Sequence, residues 1–199
     1  MLVTARSITL FVMTSLLLVA CGSSPPVRYY ALTSSSAHAP QDVEDAAILG
    51  LGPLELPEYL NRTQIVTRGI GAELQVDEFS RWAEPLNLSL HRIVAANVDA
   101  LLDNVVVVSF PYDAAIQTAV DYRLLGEVDR FDADRSGRVV LDVQWVISQV
   151  GSDLTVPPRR SHYQAQSADA SDPASVAEAM NETLVLFSQD IADELVSVL

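Results

Sequence analysis

The chain has 199 residues, a formal net charge of -14 and a single cysteine, and all twelve of its basic residues are arginine. A chain without lysine forms no Schiff base and has no P-loop lysine, which excludes most nucleotide-triphosphate chemistry. The acidic balance disfavours nucleic acid as a ligand, and one cysteine supports neither a disulfide nor a zinc site.

In chain order, the first element is a targeting signal. One positive residue in Met1 to Arg6 is followed by an apolar run from Ile8 to Val19, too short for the roughly 20 residues that cross a bilayer. Leu18-Val19-Ala20-Cys21 closes that run and resembles the bacterial lipobox, which predicts cleavage after residue 20 and acylation of Cys21. Residues 1–20 are then the signal peptide, 21–28 a short tether and 29–199 the domain. Two or three acyl chains hold a protein on a membrane durably, where one binds reversibly. Residue 22 is glycine, not the aspartate that commonly retains lipoproteins at the inner membrane, so the inner leaflet of the outer membrane is the expected site.

Val27 to Thr33 and Ile48 to Leu56 read as strands, as does Gln64 to Arg68, with Glu73 to Val76 a fourth, short one. From Pro85 the apolar spacing changes to three and four residues through Leu102, which predicts an amphipathic helix. Val105 to Phe110 is a further strand. Alternation from Val120 to Leu124 and from Val139 to Ile147, joined by the polar "DADRSG", predicts a hairpin, with Arg160 to Gln166 beside it. Asp172-Pro173 caps a final helix whose stripe runs from Val176 to Val198. The expected fold is α+β: one domain, a mostly antiparallel or mixed sheet with two amphipathic helices on one side.

Few constellations carry chemistry. Asp132, Asp134, Ser136 and Gly137 copy the opening of a calcium loop, but the twelfth position is Val143, and a hairpin turn explains the same residues. His38, His91 and His162 are far apart, and no metalloprotease, serine-hydrolase or glycine-rich phosphate motif is present. Glu55 with Glu58 is the kind of carboxylate pair an acid–base site needs, although acidic surface residues are far commoner. No cofactor or metal is expected.

Two segments are too distinctive for generic strands: "ILGLGPLELPEYLNRTQIVTR" from Ile48 to Arg68 and "FSRWAEPL" from Phe79 to Leu86. With the lipobox, "RYYAL" at Arg28 to Leu32 and the hairpin leading into "VVLDVQW", they resemble the PqiC-type family, auxiliary lipoproteins of ABC-type envelope lipid transporters. The resemblance implies a non-enzymatic periplasmic protein that works beside an MCE-domain tunnel protein, on the outer-membrane side, as a single subunit or a homo-oligomer. It directs attention to Tyr59, Asn61, Arg62, Gln64, Arg81 and Trp82 as partner-binding residues. Where the family pattern reads Tyr-Leu-Asp-Arg-Pro-Gln, this chain has Tyr59-Leu60-Asn61-Arg62-Thr63-Gln64. The physical reading leaves two roles open: Arg62, Arg68 and Arg81 can contact a partner, or can stack on an aromatic and pair with a carboxylate to brace loops. Two rival functions stand beside the docking module. A lipid carrier needs a large apolar cavity, and an envelope hydrolase needs carboxylates converging in a cleft.

Overall fold

A computed structural model describes residues 24–35, 46–152 and 156–199. The signal peptide, Cys21 and His38 lie outside the described residues.

The elements are β1 (Arg28–Tyr30), β2 (Ala47–Glu55), β3 (Gln64–Arg68), β4 (Leu74–Trp82), α1 (Leu86–Asp99), β5 (Val105–Ser109), α2 (Ala114–Ala119), β6 (Tyr122–Ala133), β7 (Arg138–Gln149), β8 (Arg159–Gln166) and α3 (Pro173–Val196). The strands form one eight-stranded mixed sheet, and the helices complete a single α+β domain. The long β6–β7 hairpin is its spine, with Tyr122 opposite Gln149 and Ala133 opposite Val139. On its far side β7 pairs antiparallel with β8. The other edge of β6 carries two strands in tandem: β2 runs parallel to its first half, from Leu49 opposite Tyr122, and β3 meets its end, Thr67 opposite Ala133. The chain between β2 and β3 must therefore leave the sheet, and a single 3-10 turn, Glu58–Leu60, forms there.

α1 covers β2 and β5, α3 covers β7 and β8, and the two helices touch. This face holds the core: Leu49, Leu51, Leu124, Leu141 and Ile147 from the sheet meet Leu90, Ile93, Leu184, Phe187 and Ile191 from the helices, all buried. Each apolar side chain so buried contributes about 1.5–3 kcal/mol relative to exposure. Trp145 meets Phe187 edge-on with ring centroids 5.9 Å apart, while its indole N–H donates to Ser161 Oγ at 3.0 Å. Asp172 caps α3 by accepting the Ala174 N–H, and Pro173 opens the helix where its missing N–H costs nothing.

Three elements differ from the sequence reading; the first is β6, which runs past Leu124 to Ala133, so that Asp132 and Ala133 of the expected connection are strand residues, beyond a register shift at Val128–Arg130 that breaks the alternation. β4 runs nine residues, through the "FSRW" segment, because Asp77 accepts the Phe79 and Ser80 N–H groups and a bulge there breaks the alternation. α2, six residues with no buried side chain, has no apolar stripe to announce it; Asp113 starts it by accepting the Ile116 N–H.

Candidate functional site

The segment from Leu56 to Thr63 must bulge because β2 and β3 share one edge of β6, and what lies beneath it is a buried charge. Asp132, on the last turn-proximal residues of β6, is 0% exposed. Three donors converge on its carboxylate: the Tyr59 hydroxyl at 2.7 Å, Arg68 Nε at 2.9 Å and Arg130 Nε at 2.8 Å. Arg68 also donates to the Tyr59 hydroxyl at 3.1 Å and lies over its ring, 5.5 Å from the centroid. Burial, then the Asp132 carboxylate, raises the Tyr59 pKa to about 12 against the opposing charge of Arg68, so the phenol stays a donor. A buried carboxylate satisfied by two guanidinium groups and a phenol fixes the loop on the sheet.

The six residues singled out by sequence divide accordingly. Tyr59 faces inward as part of this brace. Asn61 and Arg62, two and three positions on, are exposed. Gln64 is half-buried at the start of β3, opposite Arg81 of β4, and Arg81 in turn sits opposite Tyr29 of β1. Among the described residues, Arg81 Nε is buried without a hydrogen-bond partner. Trp82 is 5% exposed and belongs to the core. Tyr59, Asn61, Arg62 and Gln64 are thus one continuous surface feature with an anchored base, while Arg81 and Trp82 belong to the adjoining β1–β4 strip, where Trp82 N–H donates to the Thr63 carbonyl at 2.7 Å.

The sequence groups Arg68 with residues able to brace a loop through a carboxylate, but does not reveal that this carboxylate is Asp132 or that Arg130 shares it. Asp132 opens the polar stretch that reads as the hairpin connection, and no alternation around it marks it as a buried strand residue. The calcium-loop copy is divided by the same geometry. Asp134 turns away from Asp132 to accept the Ser136 and Arg138 N–H groups at 2.8 and 3.2 Å, closing a turn in which Gly137 takes φ +79°.

His91 and His162 serve separate elements. His91 Nε2 accepts the Leu54 N–H at 2.7 Å, so the imidazole is neutral, and burial lowers its pKa. His162 pairs with Asp142 on the open sheet face. Glu55 and Glu58 are both solvent-exposed on the rim of a 270 Å³ depression that His91 and Asn61 also line. A wider, shallow depression of 360 Å³ lies on the helix-free face among Pro53, Leu125, Val146 and Pro158.

Residues 30–192 match the family described as the ABC-type transport auxiliary lipoprotein component. The "Intermembrane transport lipoprotein PqiC" of Escherichia coli (strain K12) and that of Shigella flexneri are each 25% identical over 119 residues, 60% of this chain. The chain spans 61% of the length of these curated relatives. A crystal structure of an uncharacterized protein aligns with a TM-score of 0.70 at 20% identity, covering 86% of this chain and 99% of that one. A protein from Xanthomonas campestris aligns with a TM-score of 0.65 at 20% identity, covering 83% of this chain and 93% of its own. These two structures share the fold. With the family matched from β1 well into α3, the chain belongs to the ABC-type transport auxiliary lipoprotein component family.

Proposed function

We propose that this protein is the outer-membrane-anchored, non-enzymatic docking subunit of an ABC-type intermembrane lipid transport system. In this reading it is exported, cleaved before Cys21, acylated on that thiol and held at the periplasmic face of the outer membrane. There it engages an MCE-domain tunnel protein, alone or as a homo-oligomer, and helps maintain the envelope. The observation that carries the reading is the family match over residues 30–192. The relatives named for intermembrane transport support it further.

The interior supports a module over a carrier. Large apolar side chains from sheet and helices, Leu49, Leu124, Leu184 and Phe187 among them, are buried against one another, and the apolar depression near Leu125 is open to solvent and close to the lower end of the roughly 300–1,000 Å³ typical of ligand pockets. Asp132, the most buried carboxylate among the described residues, is consumed by its three donors, an arrangement suited to holding a loop and not to exchanging protons with a substrate. On this reading Asn61 and Arg62 form the outward rim of the docking surface, with Tyr59, Gln64, Arg81 and Trp82 shaping it from beneath and beside.

Arg62→Ala is the test. Arginine concentrates interface energy, and loss of an interfacial anchor costs about 2 kcal/mol or more, roughly thirtyfold in affinity. The variant is expected to keep its thermal midpoint and lose transport-protein copurification. Full copurification would remove the loop from the interface.

A further inference from the structure

The β3–β4 hairpin ends in a tip whose chemistry the fold does not require. Ile70 is 73% exposed, the most exposed of the large apolar side chains among the described residues. The turn itself is closed by the backbone, Glu73 N–H to Ile70 carbonyl at 3.2 Å and Gly69 N–H to Glu73 carbonyl at 2.9 Å, with Gly71 supplying φ +64°. Gly71 answers a conformational need. A β-branched apolar residue beside it answers none, and a polar residue there would cost the turn nothing.

Of the two charged neighbours, Arg68 is drawn away from the tip and Glu73 is spent on closing the turn. Arg68 reaches down to Asp132, and Glu73 bends back over Gly69 so that its carboxylate accepts the Ile70 N–H at 3.4 Å. What projects is Ile70-Gly71-Ala72, uncharged in a chain of net charge -14, with exposed Leu74 just behind it.

The path of the chain says what this tip meets. β1 runs parallel to β4, Arg28 opposite Ser80 and Tyr30 opposite Trp82. Traced backwards from Arg28, the chain heads towards the Leu74 end of β4, which is the hairpin tip. From the level of Ser80 to Leu74 is six residues, about 20 Å of strand. From Arg28 back to Cys21 is seven residues, about 23 Å when extended, and Pro25-Pro26 favours extension. That length is enough for a lipid anchor at Cys21 to reach the level of the tip. The β6–β7 turn shares this end, since Thr67 lies opposite Ala133 in parallel register, and exposes Arg135, whose guanidinium suits a lipid phosphate.

From this geometry we infer that the β3–β4 hairpin tip is a membrane contact: Ile70 inserts among the lipid headgroups beside the acylated Cys21 and sets the orientation of the domain on the bilayer. The inference rests on the acylation of Cys21 in the function proposed above. One apolar side chain gives negligible affinity alone, but the lipid tether holds it at high effective concentration next to the surface, so it orients what the anchor already retains.

The test uses the full chain, processed and acylated, in phosphatidylcholine vesicles. Cys21 is consumed by its thioether, so Ile70→Cys carries the sole free thiol and takes an environment-sensitive fluorophore there. Val150→Cys is the reference, placed beside Asp121 at the opposite end of β6, about 35 Å away. The expected result is a blue-shifted emission from the Ile70→Cys label that falls when the lipids carry a shallow quencher, with the Val150→Cys label unchanged. Protein that floats with the vesicles while the Ile70→Cys label stays water-like and unquenched overturns the hairpin contact and leaves the anchor standing. Protein that neither floats nor takes up labelled fatty acid overturns the anchor and the contact with it.

Discussion

Replacing Asp132 by alanine tests whether the Leu56 to Thr63 loop is held from beneath. The carboxylate is 0% exposed and receives three donors, two from arginine side chains that are themselves 30% and 25% exposed. Breaking a buried charge pair costs about 3–5 kcal/mol because the surviving charge stays desolvated. Here both guanidinium groups reach water at one edge and can rehydrate in part, so the lower end applies, about 3 kcal/mol. At about 2–4 °C per kcal/mol for a domain of this size, Asp132→Ala should lower the midpoint by about 6–12 °C. Thermal and urea unfolding of the signal-less protein, followed by circular dichroism, measures it. Combining Asp132→Ala with Tyr59→Phe should cost less than the sum of the two, since both remove the same hydrogen bond. A midpoint within about 2 °C of the parent, or strict additivity in the cycle, would refute the brace.

Gly52→Ala should destabilise by about 1 kcal/mol or more in the same unfolding assay, because φ is +104° there and an added Cβ would sit 2.8 Å from Phe110 Cβ and 2.9 Å from the His91 ring. Acid should act through Asp134: partial burial works to raise its pKa, but hydrogen bonds from Ser136 and Arg138 outweigh it and bring it to about 2. A lowered folded-state value means stability present above the ordinary 3.8 and lost as pH falls towards about 2, so Asp134→Asn should flatten the decline in midpoint between pH 5 and pH 2. His91 follows the same sign, since burial lowers its pKa below 6.5 and its stabilising effect is lost as pH falls from that value. The midpoint of His91→Gln should therefore change less than that of the parent between pH 7 and pH 5.

How much of this was legible depends on period. β7 and the start of β6 alternate, so the hairpin and its partner β8 could be read directly, while the second half of β6, past a register shift between Val128 and Arg130, could not. α1 and α3 carry continuous apolar stripes, and the Asp172-Pro173 cap marks the start of α3 within a residue. β4 resisted because Asp77 builds a bulge into it and the alternation changes phase. The tandem seating of β2 and β3 on one edge of β6 is a property of topology, with no local signature in either strand. The brace was hidden for a related reason. Tyr59, Arg68, Arg130 and Asp132 come from a loop and two strands, and an arginine near a tyrosine in sequence does not say which of 26 acidic residues it will meet. Within the family segment, the structure separates the inward residue, Tyr59, from the outward ones, Asn61 and Arg62.

The most direct test of the central claim is affinity isolation of the full-length protein from detergent-solubilised envelopes, with fatty-acid labelling and identification of what accompanies it. The expected result is an acylated protein recovered from the outer-membrane fraction together with the membrane and tunnel components of an ABC-type transporter, and loss of the acyl label in Cys21→Ser. Recovery of an unacylated protein from the soluble fraction, with no transport component bound, would contradict it.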